Sequence, residues 1–326
     1  MRRRPLQRET NPFPFSDSNK RYHTFDYYLR KKYGEKCAVI PLDAGFSCPN
    51  IDGTRGVGGC IYCSGRGSGD FAGNPLEPLA LQYARQRAAI ASKWPCRRFL
   101  PYLQAHSNTH APIERLKEVY AELSALPDAA ALHIATRADC IDLKRAQLLA
   151  SLAEEHDLTV ELGLQSIFDE TARRINRCHT YEEFLRGVEM LRGTSARIRI
   201  CVHLINGLPG EGRDEMLASA KALGVLGIEE IKIHLLHVLR GTPLATLYLR
   251  GGYVPMTEQD YVETVALQLG LLPPETVIGR LTGDAPRDSL LAPLWSLKKM
   301  PILNAVDRYL FETDGMQGKA LRSEWG

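Results

Sequence analysis

Six short apolar runs alternate with longer helix-like segments over most of this chain. The runs are CAVIPL at 37–42, FLPYLQA at 99–105, ALHIAT at 131–136, LTVELGLQ at 158–165, RIRICVHLI at 197–205 and EEIKIHLLHV at 229–238. The helix-like segments lie at 76–92, 112–125, 142–156, 168–176, 180–192 and 211–224. This alternation is typical of βαβ units with parallel strands. It predicts an α/β fold with a partial (β/α)6 barrel of the TIM type rather than a full eightfold barrel.

The chain divides into three predicted parts. Residues 1–20 are basic and polar, and we expect them to be disordered. Residues 21–240 form the core barrel. Residues 241–326 contain a helix at 257–271, a proline-containing excursion with one short strand, and a final helix near 300–312. We predict that this last part is an extension packed on the barrel.

Composition excludes several classes of protein. With 326 residues and 44% apolar content, the chain can bury a large core. No run of eighteen apolar residues occurs, so no transmembrane helix is predicted, and the start of the chain lacks the apolar region of a secretory signal. We expect a cytoplasmic protein that uses no membrane. Its eight cysteines are then reduced and suited to metal binding or catalysis.

The net charge of +3 is small, but basic residues occur in groups. The main groups are Arg2–Arg4, Lys31–Lys32, Arg97–Arg98 and Arg173–Arg174. A solvated surface is the simpler interpretation of each group taken alone. Together they permit a nucleic-acid partner without establishing one.

One glycine-rich loop after the first predicted strand contains three of the cysteines. Cys48, Cys60 and Cys63 have the spacing C-x11-C-x2-C. Thiolates select zinc, copper(I) or iron–sulfur clusters. Structural zinc usually takes four protein ligands, and Cys37 is the candidate for a fourth. Three cysteines alone would leave one iron of a four-iron cluster open, which points to chemistry, whereas four would make a closed, non-catalytic metal site.

The loop, with the words GFSCPN, DGT and GGCIYC, resembles the cluster loop of the radical SAM superfamily. That superfamily commonly has the spacing C-x3-C-x2-C with an aromatic residue before the third cysteine, a position that Tyr62 holds here. The longer x11 spacing resembles a narrower group of Elongator-like bacterial radical SAM proteins. Other stretches that resemble this group, from about Tyr33 to Leu310, are YLQAHSNTHAP, IATRADC, ELGLQS, INRCHT, INGLPGE, IKIHLLHVLRGTPLA and RLTGDAPRDSLLAPLWS.

The resemblance implies a radical SAM enzyme that uses a [4Fe-4S] cluster and S-adenosyl-L-methionine (SAM). Cys48, Cys60 and Cys63 would ligate three irons, and SAM the fourth. Tyr62 would lie beside the adenine, or would pack over the cluster. A donor such as flavodoxin or ferredoxin would supply a low-potential electron. SAM would then be cleaved to methionine and a 5′-deoxyadenosyl radical, which abstracts a substrate hydrogen.

Polar residues after the second and third predicted strands are the next implied SAM contacts. Ser107, Asn108 and Thr109 would accept from the methionine ammonium, which suits short polar side chains. A helix N-cap is the alternative role for Asn108 or Thr109. Arg137 would approach the substrate or the methionine carboxylate, and an ion pair with Asp139 is its structural alternative.

The stretch ELGLQS implies contacts from the fourth strand. Glu161 shares a strand face with Gly163 and Gln165. It would accept from the ribose hydroxyls, a role favoured because an unpaired buried carboxylate is costly. Gln165 and Ser166 would lie at the rim of the barrel.

The sixth strand of the superfamily offers main-chain atoms to the adenine, which implies this role for His234 and Leu236. His234 and His237 lie three residues apart in the predicted strand and would face opposite sides, so at most one would face the interior. A satisfied core histidine is the alternative for each. Cys178 stands where related proteins generally carry glycine, and we assign it no chemistry.

The same resemblance implies tRNA as a partner and a wobble uridine as the substrate, which the basic groups permit. A radical SAM enzyme acting on a small molecule or a protein is the second hypothesis. A non-catalytic four-cysteine metal-binding module is the third. No motif for the acetyl-transfer half of Elongator is visible, so the full Elongator reaction is not predicted.

Overall fold

A curled sheet of seven parallel strands forms the centre of the protein. The computed structural model describes residues 11–93 and 96–323. The strands are β1 (Cys37–Leu42), β2 (Arg98–Leu103), β3 (Leu132–Thr136), β4 (Leu158–Gln165), β5 (Ile198–Asn206), β6 (Glu230–Leu235) and β8 (Val277–Arg280). They are ordered β1-β2-β3-β4-β5-β6-β8. The prediction of a partial parallel α/β barrel is confirmed.

Helices follow the strands as the alternating pattern predicts. They are α1 (Phe25–Tyr33), α2 (Leu79–Ala91), α3 (Ile113–Ser124), α4 (Leu143–Glu155), α5 (Asp169–Arg174), α6 (Tyr181–Thr194), α7 (Arg213–Val225), α8 (Pro243–Leu249), α9 (Glu258–Gly270), α10 (Lys299–Glu312) and α11 (Lys319–Ser323). Polar caps mark several starts: the Thr180 hydroxyl accepts from Glu183 N–H, and Glu183 in turn accepts from Thr180 N–H. None of the helices in the described ranges is long and apolar enough to span a membrane.

The sheet has one strand more than the six that the sequence predicts. β8 comes from the proline-containing segment near the C-terminus and pairs in parallel with β6, with Glu230 opposite Val277. Four residues between turns carry too little periodicity to be assigned to the barrel. The predicted division of the chain at residue 240 stays a prediction. Strands from both sides of that residue share one sheet.

The predicted strand at 229–238 is shorter in the structure. β6 ends at Leu235, and Leu236 N–H donates to the Asn206 carbonyl at 2.9 Å. A separate strand, β7 (Val238–Leu239), then pairs antiparallel with β9 (Leu290–Ala292). His237 therefore lies outside the strand. The premise that His234 and His237 lie in one strand is wrong, so the strand period does not determine which sides they face.

The two faces of the sheet differ in chemistry. Val160 and Leu162 on β4 are fully buried, as are Ile200 and Val202 on β5, and they pack with the helices in one core. The alternate residues face the barrel interior and are largely polar, among them Glu161, His203 and Lys232. The apolar face stabilises the fold, and the polar face is free for chemistry.

The residues before α1 lie against the barrel. Between 11 and 20 there is no helix or strand, but Phe13 is 3% exposed and Lys20 forms an ion pair with Asp307 on α10. Thr24 pairs with Ile278 of β8 in a parallel bridge beside the amino ends of the strands. Disorder of residues 1–20 stays a prediction, and residues 1–10 lie outside the described residues.

We predict that α4 contributes to stability through its buried face only. Leu149→Ala removes a side chain that is 0% exposed, so the free energy of unfolding should fall by about 2–5 kcal/mol. Leu143→Ala, in the same helix but 55% exposed, should change it by no more than about 0.5 kcal/mol. Urea titration followed by circular dichroism measures both. Equal losses in the two variants would contradict this placement of the core.

Candidate functional site

Left-handed turns shape the cysteine loop that follows β1. Cys48 O accepts from Ile51 N–H at 2.8 Å, and Cys60 O accepts from Cys63 N–H at 3.0 Å. Gly58 and Gly59 have φ of +80° and +73°, a region that side chains with a Cβ rarely adopt. These glycines turn the chain so that both ends of the x11 segment lie beside the barrel mouth.

Distant parts of the chain hold this loop in place. Ile61 N–H donates to the Ile175 carbonyl at 3.0 Å, and Leu244 N–H donates to the Ile61 carbonyl at 2.9 Å. Asn176 donates from its side chain to the Gly59 carbonyl at 2.8 Å. The loop is thereby connected to the end of α5 and the start of α8, and its position is a tertiary property.

The three loop cysteines are free thiols. A hydrogen bond with Cys63 lowers the pKa of the Cys60 thiol to about 7, and Arg137 acts in the same direction. Among the described residues, these thiols are in no set of three metal-binding atoms lying within 4.8 Å of one another.

Tyr62 lies between the cysteines and an apolar cluster. It packs against the apolar cluster that contains Ile175, Leu236 and Leu244, and its phenol lies close enough to Cys60 to lower the pKa of that thiol. Of the two predicted positions for Tyr62, packing against the cysteine site agrees with these contacts.

Cys37 cannot be a fourth ligand. It begins β1, whereas the cysteine loop follows the last residue, Leu42. Five steps along a strand span about 16 Å. The Cys37 thiol instead donates to the Glu35 carbonyl at 3.7 Å, and burial raises its pKa to about 11. The hypothesis of a four-cysteine module using Cys37 is wrong, because Cys37 and the loop lie at opposite ends of the strand.

The three polar residues after β2 are all buried but have different partners. Asn108 donates from its side-chain amide to the carbonyls of Leu103 and Ala135, at 3.1 and 2.8 Å. Thr109 Oγ1 lies 2.6 Å from a threonine hydroxyl on β3. Ser107 Oγ and Asn108 Oδ1 have no hydrogen-bond partner within the described part of the chain. Thr109 and the Asn108 amide thus support the loop, while two oxygens remain available for a ligand.

Arg137 is held by its neighbours. Its Nε and one terminal nitrogen donate to the two carboxylate oxygens of Asp139, each at 2.9 Å, and its other terminal nitrogen donates to the Arg177 carbonyl at 2.8 Å. The structural ion pair is therefore formed. Arg177, on the stretch INRCHT, is 1% exposed and donates to backbone carbonyls, including that of Ser166 at 2.6 Å.

Glu161 lies in a closed polar cluster inside the barrel. Its Oε1 accepts from His133 Nδ1 at 2.8 Å and from Lys232 Nζ at 2.7 Å, and its Oε2 accepts from His203 Nε2 at 2.7 Å. Burial alone would raise the pKa of Glu161, but Lys232 and the two histidines hold it well below its usual range. Because both oxygens are occupied, the expected contact of Glu161 with ribose is not supported.

The remaining predicted contacts lie along the rim. Gln165 has φ of +63° and folds back, so that its amide nitrogen fills the space where a Cβ on Gly163 would lie. Ser166 is 0% exposed and donates to Glu211, which makes it a supporting residue. Leu236 is 2% exposed, and its N–H is already bonded within the fold.

The rings of His234, which is on β6, and of His237, which follows β6, lie close to the same glycine. Ring atoms of His234 and His237 lie 3.4 and 3.5 Å from where a Cβ on Gly283 would be. Their Nε2 atoms are buried and have no partner among residues 11–93 and 96–323. Sequence reasoning missed Gly283 and Lys232. Lys232 lies two residues before His234 and therefore on the same face of the strand. This spacing is a signal that could have placed Lys232 in the barrel interior.

Cys178 has φ of +61°, which explains why glycine would suit its position. Its sulfur lies beside Gly56 of the cysteine loop, 2.7 Å from where a Cβ on that glycine would be. No chemistry follows from this placement.

Family comparison decides the identity of the fold and its site. A family model described as the Radical SAM superfamily matches residues 51–223, and one described as the Radical_SAM C-terminal domain matches residues 228–312. The chain belongs to the radical SAM superfamily. It is a radical SAM enzyme, and this family binds a [4Fe-4S] cluster and SAM.

Relatives of this radical SAM enzyme cover most of its length. It is 44% identical to the uncharacterized protein YtqA of Bacillus subtilis over 95% of this chain and 96% of the relative. It is 35% identical to YhcC of Escherichia coli over 91% of this chain and 94% of the relative. The resemblance to Elongator-like bacterial radical SAM proteins is confirmed.

More distant similarity reaches larger proteins. A tRNA uridine(34) acetyltransferase of Methanocaldococcus jannaschii is 26% identical over 59% of this chain and 34% of its own length. The structure of the archaeal Methanocaldococcus infernus Elp3 with an N-terminal deletion matches with a TM-score of 0.64 at 19% identity, over 86% of this chain and 64% of that one. The latter similarity shows the shared fold.

We predict different effects of two cysteine substitutions on metal content. Cys48→Ser removes a thiol at the barrel mouth, so the anaerobically reconstituted variant should hold much less iron and sulfide than the unaltered protein. Cys37→Ser should keep the full content, because Cys37 lies at the other end of β1. Iron and acid-labile sulfide per chain, with the visible absorbance, measure this. Loss of iron in the Cys37 variant would contradict the assignment.

Proposed function

We propose that this radical SAM enzyme modifies a uridine at the wobble position of tRNA. Cys48, Cys60 and Cys63 would hold the [4Fe-4S] cluster, and SAM would bind beside it. Reductive cleavage of SAM at the cluster supplies the 5′-deoxyadenosyl radical that abstracts a substrate hydrogen. The observation that supports the radical chemistry in this proposal is the set of three free thiols at the mouth of a radical SAM barrel.

The protein's own residues suit these two cofactors. The thiols are unpaired, and thiolates favour iron–sulfur clusters. Ser107 Oγ and Asn108 Oδ1, both buried and unpartnered among the described residues, would accept from the methionine ammonium. Tyr62 would pack beside the cluster, and Gln165, which turns back over β4, would face the bound SAM. These residues orient SAM and exclude water from it.

Two observations support tRNA as the substrate. A relative of known name, the tRNA uridine(34) acetyltransferase, shares similarity with this chain. The chain spans about a third of that relative, so acetyl transfer is not part of the proposal. Arg173 and Arg174, one of the basic groups, lie on α5 immediately before the stretch that holds the cysteine loop. Arg173, which is exposed, would meet the phosphates of RNA there, whereas Arg174 pairs with Glu170 at 2.9 Å.

A small molecule or a protein as the substrate is the second candidate. This candidate is supported by the polar groups Lys232, His234 and His237, which would contact a compact substrate in the barrel interior. We propose a small low-potential donor of the flavodoxin or ferredoxin type as the source of the electron in either case.

We predict that the reconstituted enzyme with dithionite releases 5′-deoxyadenosine from SAM, and that tRNA from cells with and without the protein differs in one wobble nucleoside. Chromatography measures the first, and mass spectrometry of digested tRNA the second. Cys63→Ser should abolish both. A protein that cleaves SAM while the two tRNA pools are identical would favour the small-molecule or protein substrate. A colourless protein that cleaves no SAM would contradict the enzyme.

We predict that Ser107→Ala weakens SAM binding without affecting the cluster. The lost hydrogen bond to a charged ammonium is worth about 1.5–3 kcal/mol, so the Kd for SAM should rise by roughly 10–150-fold. Equilibrium dialysis with labelled SAM measures the Kd. Ser92→Ala, at the exposed end of α2, is the matched control and should leave it unchanged. An unchanged Kd in Ser107→Ala with normal iron content would remove Ser107 from the site.

A further inference from the structure

His203 is the most exposed member of the polar cluster that Glu161 forms with His133, His203 and Lys232. Glu161 is 1% exposed, and the side chain of His133 is 4% exposed, but that of His203 is 20% exposed. A buried carboxylate is costly unless it is paired, and Lys232 provides the compensating charge at 2.7 Å. His203 therefore connects this paired carboxylate with the open part of the barrel.

The orientation of the His203 ring follows from its partners. Its Nε2 lies 2.7 Å from Glu161 Oε2. A carboxylate only accepts hydrogen bonds, so Nε2 carries the proton and Nδ1 keeps its lone pair. Within the described ranges Nδ1 has no hydrogen-bond partner, and the His203 side chain is 20% exposed. A carboxylate behind an imidazole with a free outer nitrogen is the usual arrangement of a general base.

His203 lies one layer beneath the proposed SAM site. On the neighbouring strand it pairs in register with Gly163. The Gln165 amide folds over that glycine, with its nitrogen 2.7 Å from where a Cβ would lie. On the other side, the His234 ring centroid is 5.1 Å from that of His203. The His203 ring thus lies between the β4 rim and the β6 wall, beneath the residues proposed to contact SAM.

We propose that His203 is a catalytic base of the substrate reaction and that Glu161 is its positioning residue. The inference rests on the proposed function. The reacting carbon must bear an O–H group, which in a uridine nucleotide within tRNA is C2′ of the ribose. After hydrogen abstraction at that carbon, the heteroatom proton moves to His203 Nδ1. The substrate keeps its unpaired electron and gains one negative charge, and the imidazole becomes an imidazolium beside Glu161.

The surrounding charges suit this role. Burial lowers the pKa of His203 below its ordinary value, while Glu161 opposes that change. Lys232 on β6 and Arg280 on β8 add positive charge nearby and favour the neutral ring. His234 is the other titratable group against the ring, and burial also keeps it neutral. His203 is therefore unprotonated near neutral pH and can accept a proton.

A metal ion is the competing explanation for the cluster. Ligand atoms of Glu161, Cys201 and His203 lie within 4.8 Å of one another, which is close enough for one ion. However, Lys232 Nζ already lies against both oxygens of Glu161, at 2.7 and 2.5 Å. A second cation there would face an ammonium, which disfavours metal binding.

The decisive variant is His203→Gln, because the amide can still donate to Glu161 but cannot accept a proton in this pH range. The control is His133→Gln, which loses the other histidine of the same carboxylate and whose side chain is only 4% exposed. Both are tested as the full reconstituted chain, with tRNA from cells lacking the protein. The measurements are 5′-deoxyadenosine, altered nucleoside and bound metals, between pH 5.5 and 8.5.

We expect His203→Gln to keep its iron and to form 5′-deoxyadenosine, while the altered nucleoside per 5′-deoxyadenosine falls by about 10²-fold or more. The unaltered enzyme should lose this ratio at acid pH as His203 protonates, and His133→Gln should show the same profile. Added imidazole should restore product in His203→Ala, which a purely structural role would not allow.

Two results would overturn the inference alone: a normal product ratio in His203→Gln, or a zinc ion that is bound by the unaltered protein and lost in this variant. If the unaltered enzyme cleaves SAM but changes no nucleoside, both the tRNA proposal and the base assignment made for it are overturned.

Discussion

The site depends on the two main-chain hydrogen bonds at Ile61. Its N–H donates to Ile175 and its carbonyl accepts from Leu244, so residues from three distant parts of the chain meet between Cys60 and Cys63. Residues 43–78 form no regular helix or strand, and ordering such a long segment costs conformational entropy. Bonds to an already packed scaffold offset that cost and give the cysteines a definite position at the barrel mouth.

The two faces of the sheet differ in polarity, and the apolar outer face gives the scaffold its stability. The outer face is apolar and buried under helices, whereas the inner face carries a carboxylate, an ammonium and several imidazoles. Burying so many polar groups would destabilise the fold if they were unpaired. Glu161 accepts from Lys232, His133 and His203, and this pairing lets charged groups remain in the interior, where they can act on a substrate.

Sequence periodicity predicted most of the scaffold, since long amphipathic helices and apolar strands give strong local signals. The bounds of β1 and β4 agree with the predicted ones. β8 was not assigned to the sheet, because it is four residues long and its pairing with β6 is a long-range contact. The predicted placement of His237 in the strand was wrong for a related reason: β6 ends at Leu235, the partner of the last residue of β5.

The same difference between local sequence signals and long-range contacts applies to the candidate site. The sequence by itself determined the family, the three-thiol loop and the location of polar residues at strand ends. These features depend only on residue types and on their spacing along the chain. Only the tertiary structure decided that Cys37 is remote, that Thr109 and Ser166 support the fold, and that Glu161 is already paired. These outcomes depend on which atoms meet across the barrel, and such contacts join residues far apart in the chain, where local pattern carries no information.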